Sequence, residues 1–138
     1  MSAIMGPYTA ALNHYLRAEL GWESDLPYEI LTGRVRPWSF KGYENKFVNV
    51  GVTLAAAMRQ NPALKVYVGN GYYDVATPYF ATEYTFDHIG LTPEMKRNVR
   101  MGYYEAGPMM YIHRPSLLKL RQELVEFYGW AAPTGSSR

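Results

Sequence analysis

The sequence contains no cysteine. A disulfide framework, a thiolate zinc site and a cysteine nucleophile are therefore excluded. Net charge is nearly absent too: fourteen Lys and Arg face twelve Asp and Glu, for a formal charge of +2. The two signs are interspersed and form no basic run, so neither nucleic acid nor an anionic membrane is an expected partner. No apolar stretch approaches the roughly 20 residues of a membrane span. The opening MSAIMGPYTAAL lacks the charged and hydrophobic regions of a signal peptide, so the chain as given is expected to stay where it is made. Histidine is scarce, with only His14, His88 and His113. None has H-E-x-x-H or paired-ligand spacing, so no metal site is expected. No cofactor is implied either. GNG at 69–71 places Asp74 where a dinucleotide loop needs its third glycine.

What is abundant is apolar and aromatic surface. Hydrophobic residues make up 48% of the 138, charged residues 19%, and thirteen are tyrosine. This is a globular composition, long enough for one domain or a piece of a larger one. So much amphipathic ring surface suits a core plus a cleft or interface with wet edges.

Gly6-Pro7 opens a helical pattern in which Tyr8, Leu12, Tyr15 or Leu16, and Leu20 recur, with Gly21 as the stop. From Trp22 to Lys46 the chain is irregular. Short apolar pieces such as YEIL are punctuated by Pro27, Gly33, Pro37 and Gly42, and Trp22, Tyr28, Trp38, Phe40 and Tyr43 are available to cover something. A second helix is predicted over Val50 to Gln60, ended by Asn61-Pro62.

KVYVGN (65–70) reads as a buried strand. Thr77-Pro78 then looks like a helix start, with threonine as N-cap and proline at the first position. Phe80, Tyr84 and His88 share one face of that helix, and Gly90 stops it. Thr92-Pro93-Glu94 starts a further helical turn, and VRMGYY (99–104) is a second strand. Pro115 opens the last helix, where Leu117, Leu120, Leu124 and Phe127 form a stripe, and Gly129 is its expected end. Helix, strand, helix, strand, helix is the order of an α/β unit with parallel strands. Three segments follow: a helical and irregular cap-like part (1–46), an α/β core (47–130) and a tail (131–138).

In open α/β sheets, ligands bind beyond the carboxyl ends of the strands. Loop 70–77 carries Asp74, and loop 105–114 carries Glu105, Pro108 and His113. An acid on one such loop and a histidine on a later one is the tail half of a hydrolase triad. From spacing alone, an aspartate after a Gly-rich strand end caps a turn or the next helix.

The stretch LKVYVGNGYYDVATPYFATEYTFDHIGL (64–91), with YYEAGPMMYIH (103–113), resembles the C-terminal part of serine carboxypeptidase-like α/β-hydrolases, peptidase family S10. WSFKGYENKFVNVGVTLAAAMRQNP (38–62) is similar to bacterial members. The resemblance implies the C-terminal portion of an α/β-hydrolase fold, with few parallel strands flanked by helices and an incomplete sheet. It implies peptide substrates for the complete parent enzyme, which is usually exported. Asp74 inherits the triad aspartate, and Pro108 occupies the position of the triad histidine. Met109 inherits a place in the leaving-group wall, and Tyr73 a substrate-facing place.

The departures are chemical. No G-x-S-x-G elbow occurs: Ser2, Ser24, Ser39, Ser116, Ser136 and Ser137 all lie outside such glycines. Proline supplies neither a base nor a backbone N–H. His113 stands five residues further on, a span of up to roughly 16–18 Å, so it replaces the missing base only with a rebuilt loop. The expectation is a hydrolase-derived chain that is inactive alone. The alternative is a non-catalytic module that self-associates or binds a partner, such as an N-terminal half, because two strands leave a sheet edge exposed.

Overall fold

A computed structural model describes residues 2–29 and 32–132. The chain divides into two compact units at the Phe47–Val48 junction.

In the first unit, helix α1 spans Ser2–His14 and continues into a π-helical turn over Tyr15–Glu19. It starts before the expected Gly6-Pro7 opening, and Pro7 lies inside it. Gly21 adopts φ +63° and ends the helix as expected, since glycine enters the left-handed region without a Cβ clash. Beyond it the described residues of this unit are irregular apart from a 3₁₀ turn at Lys41–Tyr43. Arg17 donates to the Ser24 carbonyl at 3.0 Å, and Arg34 pairs with Glu29 at 3.0 Å. The second half of YEIL lies outside the described residues.

The second unit follows the predicted alternation. Helix α2 spans Gly51–Gln60, strand β1 Val66–Gly71, helix α3 Tyr79–His88, helix α4 Pro93–Lys96, strand β2 Val99–Tyr104 and helix α5 Arg114–Ala131. The two strands form a parallel two-stranded sheet, in register from Val66↔Val99 to Gly71↔Tyr104. This is a mixed α/β unit with a small parallel sheet.

Side chains alternate across a strand, and here both faces are covered. Val66 and Val99 face a core of Ala55, Met58, Ile89, Leu91 and Met95, drawn from α2, α4 and the connection between α3 and α4. Tyr67 and Tyr104 face α5 instead, where both donate to Glu123. The Tyr67 and Phe127 rings meet edge-on at 5.5 Å. Lys65 and Arg100 lie over the Trp130 ring at 4.6 and 4.1 Å, which ties the end of α5 to the starts of both strands.

The backbone alternates as well. Val66 N–H donates to the Asn98 carbonyl and Tyr72 N–H to the Tyr104 carbonyl, at 2.9 Å each. The even-numbered residues of β1 therefore face β2, and Tyr67, Gly69 and Gly71 turn their backbone groups to the other edge. On the outer edge of β2, the Tyr103 carbonyl accepts from Lys119 Nζ at 2.7 Å.

Two further helix boundaries, both in the second unit, differ from expectation. Pro78, not Thr77, takes the N-cap position of α3, and the Thr77 hydroxyl is donated to Asp74. An ionised carboxylate draws that hydroxyl more strongly than a neutral partner does. Gly129 does not end α5, which runs to Ala131. Glycine stops a helix by entering positive φ, as Gly90 does at +74° after α3, and Gly129 stays helical. The tail from residue 133 onward lies outside the described residues.

Candidate functional site

Because the strands are parallel and in register, their carboxyl ends emerge side by side. The loops after them are stitched together. Tyr73 N–H donates to the Ala106 carbonyl at 3.1 Å, and Ala106 N–H donates to the Tyr104 carbonyl at 2.8 Å. Gly71 makes the approach possible. A Cβ there would stand 2.5 Å from both the Ala106 and Gly107 carbonyl oxygens. The Asp74 loop and the Pro108 loop are thus neighbours, although more than thirty residues separate them in sequence.

Asp74 is 7% exposed, and donors of its own loop surround its carboxylate. Oδ1 accepts from the N–H groups of Ala76 and Thr77, both at 2.9 Å, and Oδ2 accepts from the Thr77 hydroxyl at 2.5 Å. This is the turn-capping role that the spacing alone assigns. The Thr77 hydroxyl, then the Thr77 and Ala76 amides, hold its pKa below the ordinary carboxylate value. A depressed folded pKa stabilises the protein above the unfolded pKa of about 3.9 and loses that effect as pH falls through the folded value. We expect the stability order wild type, then Asp74→Asn, then Asp74→Ala at pH 7 in urea melts. The gap between wild type and Asn should begin to shrink below about pH 4 and close as pH falls through the folded value. A gap that does not shrink as the pH falls would show that the charge of Asp74 is not what holds the loop.

The other predicted positions are placed plainly. Tyr73 is 68% exposed, Pro108 is exposed and Met109 is half-buried. Met110 starts a 3₁₀ turn, and its sulfur packs over Gly69 of β1. His88 stacks on Tyr84 with centroids 3.9 Å apart. His14 is exposed in the last turn of α1. His113 is the N-cap residue of α5, and its Nδ1 lies 2.8 Å from Ser116 Oγ. Ser116 is 4% exposed and sits at the third helical position, so the pair closes the first turn of the helix. Among the described residues, no group of three His, Asp or Glu side chains gathers to hold a metal, and no helix is long and apolar enough to cross a membrane.

Sequence reasoning missed a second polar centre, on the α5 face of the sheet. The hydroxyls of Tyr67 and Tyr104 touch each other, and both donate to Glu123 Oε2, at 2.6 and 2.5 Å. Tyr104 is 1% exposed. Burial, then the Glu123 carboxylate, pushes the Tyr67 phenol up to about 12 and that of Tyr104 higher. Both rings therefore stay protonated donors at neutral pH. The available signal was Glu123 itself, which interrupts the inward stripe between Leu120 and Leu124. Tyr103 points the other way, donates to Glu83 at 2.6 Å, and is likewise raised to about 12, chiefly by burial.

The fold and site define a class no finer than a mixed α/β unit with adjoining loops at its parallel strand ends. In comparisons with known proteins, no family, curated sequence or solved structure matches the chain.

Proposed function

We propose that residues 64–113 derive from the acid and base loops of a serine carboxypeptidase-like α/β-hydrolase, and that this chain by itself does not hydrolyse peptides. The observation that carries the reading is the meeting of the two loops beyond β1 and β2. One holds a buried, ionised Asp74, and the other holds Pro108.

Triad hydrolysis needs a base to take the serine proton, a carboxylate to orient that base, and donors for the developing oxyanion. Pro108 accepts no proton and donates no N–H. With no base to orient, the carboxylate of Asp74 is spent on its own loop. Losing one triad member already costs several powers of ten in rate.

A serine-reactive fluorophosphonate probe is expected to leave the pure protein unlabelled. That includes Ser116, which is buried against His113. Stoichiometric labelling of a single serine overturns the reading. Pro108→His is expected to recreate an Asp–His pair at most, with no peptide hydrolysis, because no serine of the chain sits between elbow glycines.

A further inference from the structure

A pocket of about 320 Å³ opens between the end of β2, the loop that follows it and the start of α5. Tyr72, Tyr103, Glu105, His113, Ser116 and Lys119 line it. Its volume is at the small end of ligand sites, which suits a molecule the size of an amino acid.

Its chemistry is two-signed. The Glu105 carboxylate has no hydrogen-bond or ion-pair partner among the described residues, so it is free to accept an ammonium group. Lys119 supplies the opposite charge. Its Nζ uses one bond on the Tyr103 carbonyl, at 2.7 Å, and stands 3.8 Å from Glu123 Oε1, which leaves donor capacity toward the pocket. His113 engages Ser116 through Nδ1, which leaves its second ring nitrogen unused. The start of α5, which brings His113 and Ser116 to the lining, adds positive potential. The same lining carries aromatic surface, contributed by Tyr72 and Tyr103. The Tyr72 and Tyr103 rings stack at 5.7 Å with planes 19° apart, and Tyr79 braces both edge-on.

From this geometry we infer that the pocket binds a free α-amino acid with an aromatic or long apolar side chain. Glu105 takes the ammonium, Lys119 and the start of α5 take the carboxylate, and the side chain lies along Tyr72. A ligand with one charge leaves either Glu105 without a partner or Lys119 with only its protein partners. The three other strong features of the unit have assigned roles. Asp74 caps its loop, the tyrosine–Glu123 cluster is covered by α5, and in the pocket around Glu83, Asp87 and Lys96 the charged groups already have partners, Lys96 with Asp87 at 2.6 Å and Glu83 with the Tyr103 hydroxyl at 2.6 Å.

The inference does not depend on descent from a hydrolase. Fluorophosphonate labelling would end that reading and leave this one standing. The test is an amide-resolved NMR titration of the full chain with phenylalanine, phenethylamine and 3-phenylpropionate. Phenylalanine is expected to bind tightest and to shift amides between Tyr103 and Lys119. Glu105→Gln should weaken phenylalanine and phenethylamine roughly fivefold and leave phenylpropionate unchanged. Lys119→Gln should weaken phenylalanine and phenylpropionate by a similar factor and spare phenethylamine. An unchanged thermal midpoint for Glu105→Gln, whose carboxylate makes no hydrogen bond or ion pair among the described residues, keeps that arm free of folding effects. The inference is overturned if no ligand shifts these amides, if a singly charged analogue binds as tightly as phenylalanine, or if Glu105→Gln weakens all three alike.

Discussion

Gly71→Ala is expected to destabilise the second unit by about 3 kcal/mol or more, the scale of severe overpacking. The new Cβ would stand 2.5 Å from two carbonyl oxygens, those of Ala106 and Gly107, and 3.0 Å from the Gly107 carbonyl carbon. These are backbone atoms and cannot rotate away. Tyr73 N–H holds the Ala106 carbonyl at 3.1 Å, so relief means breaking the stitch between the two loops. A domain stable by 5–15 kcal/mol loses a large share of that margin. Urea denaturation measures the effect, and Gly107→Ala is the control. There the nearest atom to a new Cβ is the Tyr73 oxygen at 3.9 Å, an ordinary contact. If both variants lose the same stability, the close approach at Gly71 is not what joins the loops.

Gly102→Ala is expected to cost a similar amount for a different reason. Its Cβ would meet the Tyr104 hydroxyl at 2.6 Å, Glu123 Oε2 at 2.8 Å and the Tyr67 hydroxyl closer still. Side-chain ends normally give way cheaply, but these three hold one another. To move, the phenols must give up bonds to a carboxylate, each worth about 1.5–3 kcal/mol, and leave it half-buried without partners. The variant should also lower the pH at which the buried tyrosines ionise, read as tyrosinate absorbance, because the cluster that excludes water from them is opened. Gly129→Ala is the opposing control. It has open space around it in the last turn of α5, stays helical, and is expected to gain up to about 0.5–1 kcal/mol. A Gly102→Ala protein as stable as wild type would mean that the cluster repacks freely.

How legible each element was depended on the range of its cause. Strand β2 matches VRMGYY residue for residue, and β1 matches KVYVGN with a shift of one position. Their signals are runs of residues that suit a covered parallel strand, and such runs are local. The turn at Thr92 was equally readable, because its hydroxyl accepts from Met95 N–H three residues on. The start of α1 was misplaced because Gly6-Pro7 is a helix opening only in isolation. The end of α5 was misplaced because glycine is a stop only where the backbone turns left-handed.

The same division runs through the site. Sequence alone determined that Asp74 caps its own loop, since all its donors lie within three residues. It determined that position 108 offers no base, since proline has neither a proton acceptor in its side chain nor a backbone N–H. Only the tertiary structure decided which tyrosines face Glu123, that two loops more than thirty residues apart share a hydrogen bond, and that Glu105 and Lys119 line one pocket. Strand register and helix rotation place those groups, and both are set by packing between residues 19 to 56 positions apart along the chain. A local pattern carries no record of a partner that distant.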